Sequence, residues 1–183
     1  MSVPLTELQR LYAGTDDPWD FDGVYEQAKF AATADALSRD AYDAGFEIGC
    51  GNGALAQHLA PRCGRYVGMD AVERAIEAAR RRVPEASFIR DLYPCPLPNE
   101  EFDLIVLSEF LYFLGAETIR DLAADIEGRW PTAELILVTY LGDTAHSLQG
   151  EETLAIFTDA ATGHRFEPVR QETRYRIDRG LPK

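Results

Sequence analysis

A glycine-rich segment and an acid that follows it are the residues whose types and spacing point most directly to chemistry. Residues 47–53 read EIGCGNG, with glycines at Gly49, Gly51 and Gly53. Glycines adopt positive φ angles at little cost and let backbone N–H groups approach a ligand closely. Asp70 follows about twenty residues later, where a carboxylate can accept hydrogen bonds from both hydroxyls of a ribose. Together they predict a nucleoside-binding site.

The nucleoside is ambiguous from the loop alone. Gly49, Gly51 and Ala54 also fit the G-x-G-x-x-G/A fingerprint of dinucleotide sites. Glu47 argues against a dinucleotide, because a negative charge beside the loop repels a pyrophosphate and attracts an amino group. Helical segments before the first strand, and a chain too short for a separate substrate domain, argue the same way. A glycine turn without any ligand is the simpler alternative.

The elements that must position these residues alternate between strand and helix. Two helices are predicted first, over 4–13 and 25–42. Strands are then predicted over 44–48, 65–70, 87–90, 102–108 and 134–139, helices over 54–60, 72–83, 117–127 and 153–162, and a strand hairpin over 165–178. Strict alternation implies a parallel sheet with helices on both faces. The apolar run FDLIVLS at 102–108 is typical of a central strand buried on both faces.

Two residues are candidates for a chemical step. Glu109 follows Ser108 at the carboxyl end of that apolar strand, where open α/β sheets place their ligands. Its carboxylate could orient an acceptor or accept its proton; a helix cap or an ion pair with an arginine is the alternative. His146 lies in the loop 142–150 and could act as a base or contact the substrate. A merely solvated histidine is the simpler interpretation there.

The charge of the chain bears on its partners. There are 31 acidic and 18 basic residues, for a formal net charge of −13. This charge repels a nucleic-acid backbone, so we expect no nucleic-acid partner. A cationic or amine-bearing substrate is tolerated or attracted, although acidity that serves solubility alone is the simpler alternative.

Other sequence features bear on compartment and metals. No stretch approaches the roughly 20 apolar residues of a membrane span, and no basic region precedes an apolar run near the N-terminus. We therefore expect a cytoplasmic protein with no membrane partner. The three cysteines and three histidines show no metal-ligand spacing, so we predict no metal.

Taken together, these motifs resemble those of class I S-adenosylmethionine (SAM) methyltransferases. EIGCGNG, with a following strand that ends in Asp70, looks like the first two motifs of that family. Asp91, with Leu92 after it, matches the position whose carboxylate holds the adenine amino group. Residues 102–114 match the fourth-strand motif. The resemblance implies that SAM is bound by Glu47, Gly49, Gly51, Gly53, Asp70, Ala71, Asp91, Leu92 and Ser108.

The resemblance also implies the fold. It is a single-domain, Rossmann-like α/β fold with a seven-stranded, mostly parallel sheet, helices on both faces and an antiparallel C-terminal hairpin. We expect one methyltransferase domain over 1–183, with an N-terminal helical lid over 1–42 and a SAM-binding core over 43–183.

The match is closer to one branch, the NodS-like N-methyltransferases. The residues that carry this resemblance are DDPW at 16–19, Tyr25 with Glu26, Lys29, FDLIVLSE at 102–109, the aromatic pair at 112–113 and GEET at 150–153. The resemblance runs from about Thr15 to the C-terminal hairpin, nearly the whole chain. One departure is GRWPT at 128–132, where a glycine pair is usual. The pocket edge there is expected to differ.

The branch implies an activity and further site residues. The implied activity is N-methylation of a small molecule, amino sugar or oligosaccharide, with S-adenosyl-L-homocysteine (SAH) as the product. Trp19 and Tyr25 are expected in the lid and Lys29 beside the SAM carboxylate, against the alternatives of core packing and a solvated lysine. An O-methyltransferase of the same fold and a non-catalytic SAM-binding protein are the alternative functions. The oligomeric state is left open.

Overall fold

A seven-stranded sheet organises the chain, in the strand order β3-β2-β1-β4-β5-β7-β6. The computed structural model describes residues 2–183, and Met1 of the predicted lid lies outside the described residues. The strands are β1 (Tyr42–Ile48), β2 (Cys63–Asp70), β3 (Ser87–Arg90), β4 (Leu104–Ser108), β5 (Glu134–Tyr140), β6 (His164–Gln171) and β7 (Tyr175–Pro182). Strands β1 to β5 are parallel, whereas β7 pairs antiparallel with β5 and β6. The predicted fold class is confirmed.

Helices cover both faces of this sheet. They are α1 (Leu5–Leu11), α2 (Val24–Asp35), α3 (Ala56–Leu59), α4 (Glu73–Arg82), α5 (Ala116–Arg129) and α6 (Gly150–Ala160), with short 3₁₀ turns at Ala60–Arg62 and Leu111–Phe113. The apolar residues of α5 and α6 pack on one face, and those of α2, α3 and α4 on the other. Within residues 2–183, none of these helices has the length and apolar character needed to span a membrane.

The side chains of the central strand β4 explain why helices cover both faces of the sheet. Ile105 and Leu107 belong to the apolar cluster beneath α5 and α6. Leu104 and Val106 belong to the cluster on the opposite face. Because successive side chains of a strand point to opposite faces, a continuous apolar run requires a cover on each side.

The helix predicted over 25–42 is wrong at its C-terminal end. Helix α2 ends at Asp35, and Tyr42 is the first residue of β1. The reason is a long-range contact with Glu134 at the start of β5. The Ser38 N–H donates to Glu134 Oε1 at 2.9 Å, and the Tyr42 hydroxyl donates to Glu134 Oε2 at 2.7 Å. These bonds hold the segment between Asp35 and Tyr42 in a non-helical connection.

Candidate active site

A cavity of about 690 Å³ lies at the carboxyl edge of the parallel strands. The edge is a topological switch point, since β2 lies on one side of β1 and β4 on the other, and such points are where α/β sheets bind ligands. Eleven predicted site residues line the cavity: Trp19, Glu47, Gly49, Gly51, Asp70, Ala71, Asp91, Leu92, Ser108, Glu109 and His146. Three predicted site residues, Tyr25, Lys29 and Gly53, are not among those that line it.

The glycine loop requires its glycines. Gly49, Gly51 and Gly53 have φ angles of +80°, +53° and +78°, which ordinary residues rarely adopt. A Cβ atom on Gly49 would lie 2.7 Å from the ring of Phe110. A Cβ atom on Gly53 would lie 3.0 Å from the backbone of Ala79 in α4. Gly49 and Gly51 therefore shape the cavity wall, and Gly53 allows α4 to pack against the loop.

The carboxylate of Asp70 holds this loop in place. The Gly51 N–H donates to Asp70 Oδ2 at 3.0 Å, and the Val72 N–H donates to Oδ1 at 2.9 Å. Burial raises the pKa of Asp70, while these backbone donors act to lower it. Each carboxylate oxygen can accept more than one hydrogen bond. The Asp70 carboxylate can therefore hold the loop in place and still accept hydrogen bonds from hydroxyl groups of a ligand in the cavity.

Two further acids lie near this carboxylate. The Asp91 N–H donates to the Asp70 carbonyl at 3.0 Å, and Asp91 Oδ1 accepts from the Leu92 N–H at 2.8 Å. Asp91 and Leu92 are both exposed and line the cavity, so they form part of its rim. Glu47 is fully buried and accepts from the Tyr66 hydroxyl at 3.0 Å. Burial raises the pKa of Glu47 to about 8. Burial therefore favours the neutral carboxyl of Glu47, and a cation beside it would favour the ionised form.

Glu109 has a strained backbone and a buried partner. Its φ angle is +49°, a region that costs a non-glycine residue about 1 kcal/mol or more and that is concentrated at functional sites. Its N–H donates to the Val138 carbonyl at 2.8 Å. Its Oε2 accepts from Lys29 Nζ at 2.7 Å, so the ion pair weighed as an alternative does form, with a lysine instead of an arginine. Burial raises the pKa of Glu109, and Lys29 opposes that shift.

The three lid residues predicted to bind the cofactor are in different environments. Trp19 is 42% exposed, lines the cavity and contacts the rings of Tyr12 and Phe21. Tyr25 instead packs edge-on against Tyr175, with ring centroids 6.1 Å apart. Lys29 is only 1% exposed. Its ammonium contacts Glu26 and Glu109, so this geometry gives no support to a contact with the SAM carboxylate.

His146 lies in the same cavity as Glu109. Its ring is nearly parallel to that of Tyr112, with the centroids 5.9 Å apart, and it lies 5.0 Å from the ring of Phe113. The aromatic residues predicted at 112–113 therefore form a wall on which the histidine packs. A role for His146 as a base stays a prediction.

Several cavity residues escaped the sequence analysis. They are Leu8 and Tyr12 near α1, Glu26 of α2, Tyr140 of β5 and Arg174 between β6 and β7. Only Glu26 carried a usable signal, since it precedes Lys29 by three residues, the spacing of an ion pair on one helix face. The others are brought to the cavity by the tertiary fold alone.

The sheet is parallel from β1 to β5 and carries β7 antiparallel between β5 and β6, with a glycine loop after β1 and an acid at the end of β2. Together these features define the class, a Rossmann-like methyltransferase fold. The sequence model of the nodulation protein S (NodS) family matches residues 5–128. The chain belongs to the NodS family. Nodulation protein S of Bradyrhizobium diazoefficiens is 38% identical over 105 residues, which cover 54% of this chain and 50% of that protein.

Solved structures agree on the fold. The N-methyltransferase NodS of Bradyrhizobium japonicum WM9, in complex with SAH, superposes with a TM-score of 0.82 at 24% identity and covers 97% of this chain and 98% of that one. A putative methyltransferase of Pseudomonas syringae gives a TM-score of 0.73 at 31% identity, over 86% of this chain and 98% of that one. Matches to the curated NodS proteins span 44 to 60% of their length.

Proposed function

We propose that this chain transfers a methyl group from SAM to an amine, by direct in-line displacement. The observation that carries the proposal is one continuous cavity that includes both the glycine loop with Asp70 and the carboxylate of Glu109. A methyltransferase needs its two reactants in a single space, aligned and shielded from water. A protein that only binds SAM has no need of a second charged wall.

The residues present fit SAM. Gly49 and Gly51 leave the loop backbone open to the cavity, and Asp70 retains acceptor capacity for ribose hydroxyls. Asp91 is at the rim, where its carboxylate can accept from an adenine amino group. The buried carboxyl of Glu47 lies in the same wall and suits an amino group. When bound, SAM supplies a methyl group activated by a sulfonium.

The other side of the cavity suits the acceptor. An amine with a pKa of about 10 is mostly protonated at neutral pH and must lose a proton before it can attack. Glu109 follows β4 directly, so its carboxylate can orient the amine and accept that proton. Tyr112 and His146 enclose the space beside it. If the acceptor is a hydroxyl instead, His146 is the better base.

The acceptor class rests on the family. We infer an amine, since a protein named N-methyltransferase NodS has this fold. The resemblance described above implies that the amine belongs to a small molecule, an amino sugar or an oligosaccharide. SAH is then the second product. A cytoplasmic location, the absence of a metal and the absence of nucleic-acid or membrane partners stay predictions.

The experiment is a transfer assay with SAM labelled in its methyl group. Glucosamine oligomers, simple amines and hydroxylated small molecules serve as acceptors, and mass spectrometry locates the label. We expect the label on nitrogen. Label on oxygen would support the O-methyltransferase, and SAM binding without transfer to any acceptor would support a non-catalytic SAM-binding protein.

A further inference from the structure

A buried lysine between two carboxylates lies behind the acceptor side of the cavity. Lys29 of α2 is 1% exposed, and its Nζ is 2.7 Å from Glu26 Oε2 and 2.7 Å from Glu109 Oε2. Both carboxylates line the cavity, whereas Lys29 is not among its lining residues. We call these residues the acidic triad. With all three ionised, it carries one net negative charge.

The triad is poorly explained as a stabilising device. Removing charges from water costs several kcal/mol per ion, and apolar residues of similar volume often do as well or better in such positions. Lys29 adjoins the apolar cluster that contains Phe30, where an apolar side chain would pack. The triad also includes Glu109, whose backbone is strained at a φ of +49°. A strained backbone and buried charges at the same position indicate a functional site.

The two carboxylates are not equivalent. Lys29 Nζ donates a hydrogen bond to Glu109 Oε2. It touches Glu26 at the same distance, but Glu26 Oε2 has no partner with hydrogen-bond geometry. Lys29 therefore orients Glu109, and Glu26 mainly contributes charge.

We propose that Lys29 is a positioning residue that keeps Glu109 ionised and aimed into the cavity, and that Glu26 completes an anionic subsite selecting acceptors that arrive as ammonium ions. This inference rests on the proposed function and assigns the selectivity of the same site. Lys29 then acts through Glu109, without touching the acceptor or SAM.

The proton balance of the step is simple. The ammonium acceptor gives one proton to the Glu109 carboxylate and becomes a neutral amine. The amine lone pair forms the new N–C bond as the C–S bond breaks, and that electron pair goes to sulfur. The product leaves as a methylated ammonium ion. Glu109 then returns its proton to solvent, so one proton is released per turnover.

The charged groups that face Glu109 make opposite contributions. Burial raises its pKa; Lys29 of α2 and Arg174 of the β6–β7 turn lower it, and Glu26 of α2 raises it. The neighbouring titratable groups are Tyr25 of α2, Tyr112 of the 3₁₀ turn, Tyr140 of β5 and His146 of the loop 141–149. Removing the charge of Lys29 should therefore raise the pKa of Glu109, and removing that of Glu26 should lower it.

The test follows the Glu109 carboxyl directly by ¹³C NMR of the full chain labelled at glutamate. Glu109→Gln identifies its resonance. We expect the titration midpoint to rise in Lys29→Met, to return towards the original value in Lys29→Arg, and to fall in Glu26→Gln. Glu77→Gln, on the exposed face of α4, removes the same charge elsewhere and should leave the midpoint in place.

Selectivity is tested with methylammonium chloride as the probe and sodium chloride at equal ionic strength as the control. Methylammonium should shift the Glu109 resonance in the unaltered chain. The shift of the same resonance should be smaller in Glu26→Gln. An equal response to both salts overturns the subsite. Unmoved midpoints in the Lys29 variants overturn the positioning role. If Lys29→Met does not fold, Lys29→Gln, which also removes the charge but keeps a polar side chain, supplies the same comparison. Neither readout needs methyl transfer, so failure here is distinct from failure of the proposed function.

Discussion

The two sides of the cavity are built in different ways. On the side of β1 to β3, backbone N–H groups donate hydrogen bonds to the Asp70 carboxylate, and the bond from Gly51 joins residues only 19 positions apart. On the side of β4 and the lid, side chains meet side chains, and the Lys29–Glu109 pair joins residues 80 positions apart. The first side is built by contacts between segments that are close in the sequence. The second is built by contacts between segments that are far apart in the sequence.

This difference matches the two ligands that we propose. A backbone cradle with glycines at positive φ tolerates few substitutions, which suits a ligand that never changes. A wall of side chains can be altered one residue at a time without disturbing the loop, which suits an acceptor that differs between related enzymes. Experiments that separate cofactor binding from turnover therefore test the comparison directly.

The largest expected effect is on the acceptor side. Glu109→Gln keeps the size of the side chain but removes the proton acceptor, so turnover should fall by roughly 10²–10⁴-fold. Cofactor affinity should change little, because Asp70 and the glycine loop are untouched. Steady-state rates with the natural acceptor and calorimetry with SAH measure the two quantities. Normal turnover in Glu109→Gln would contradict the assignment of Glu109 to the chemical step. Glu109→Asp, which keeps the charge, serves as the matched control.

The cofactor side should show the reverse pattern. Asp70→Ala removes the two hydrogen bonds that we propose to the ribose, each worth ~1.5–3 kcal/mol, and also frees the backbone of Gly51 and Val72. SAM affinity should therefore fall about 100-fold or more. Asp91→Ala removes one contact at the exposed rim and should cost about tenfold. Calorimetry on both variants checks this order. Equal affinities in Asp70→Ala and the unaltered chain would refute the assignment of Asp70.

The fold and the placement of the glycine loop beside Asp70 were predictable from sequence because their signals are local. Strand-helix alternation, the spacing from Gly49 to Asp70 and the apolar run of β4 each lie within a short stretch of chain. The β-hairpin prediction at the C-terminus stops at 178, whereas β7 continues to Pro182. Such boundary errors arise because pairing partners, here β5 and β6, decide where a strand ends.

The acceptor side was only partly predictable. Glu109 stood out as an acid after an apolar run, but its partner Lys29 lies on a helix whose approach to β4 is not encoded locally. The raised pKa of Glu47 was not predictable for a related reason. Its burial, and therefore its raised pKa, depends on Tyr66 and the packing of the sheet. Contacts between distant segments, and the desolvation that follows, come from tertiary structure.

A smaller effect is expected on the stability of the chain, where a glycine at positive φ in the loop is compared with a glycine in a helix. Gly49→Ala should destabilise the chain by about 1–3 kcal/mol, because φ is +80° and the new Cβ would lie 2.7 Å from Phe110. Gly128→Ala is the matched control: it lies in α5 with nothing within 4 Å of a new Cβ, and should stabilise by up to about 1 kcal/mol. Denaturant unfolding of both variants measures the difference. Equal effects would show that the loop is not strained.

The smallest effect concerns the buried carboxyl of Glu47, whose pKa burial raises to about 8. If the ammonium group of the cofactor binds the ionised carboxylate, as we propose, each pH unit below the pKa weakens that binding by about 1.4 kcal/mol, because the carboxyl must first lose its proton. SAH affinity should therefore rise by up to about tenfold per pH unit towards pH 8 and level off above it, where the Glu47 carboxyl is already ionised. Glu47→Gln cannot ionise, so its affinity should be weaker at pH 8 and nearly flat below it. Calorimetry in buffers of different ionisation enthalpy should also detect a proton released on binding at neutral pH. A flat profile in the unaltered chain would mean that Glu47 does not meet the amino group, and that the cofactor side depends on its backbone alone.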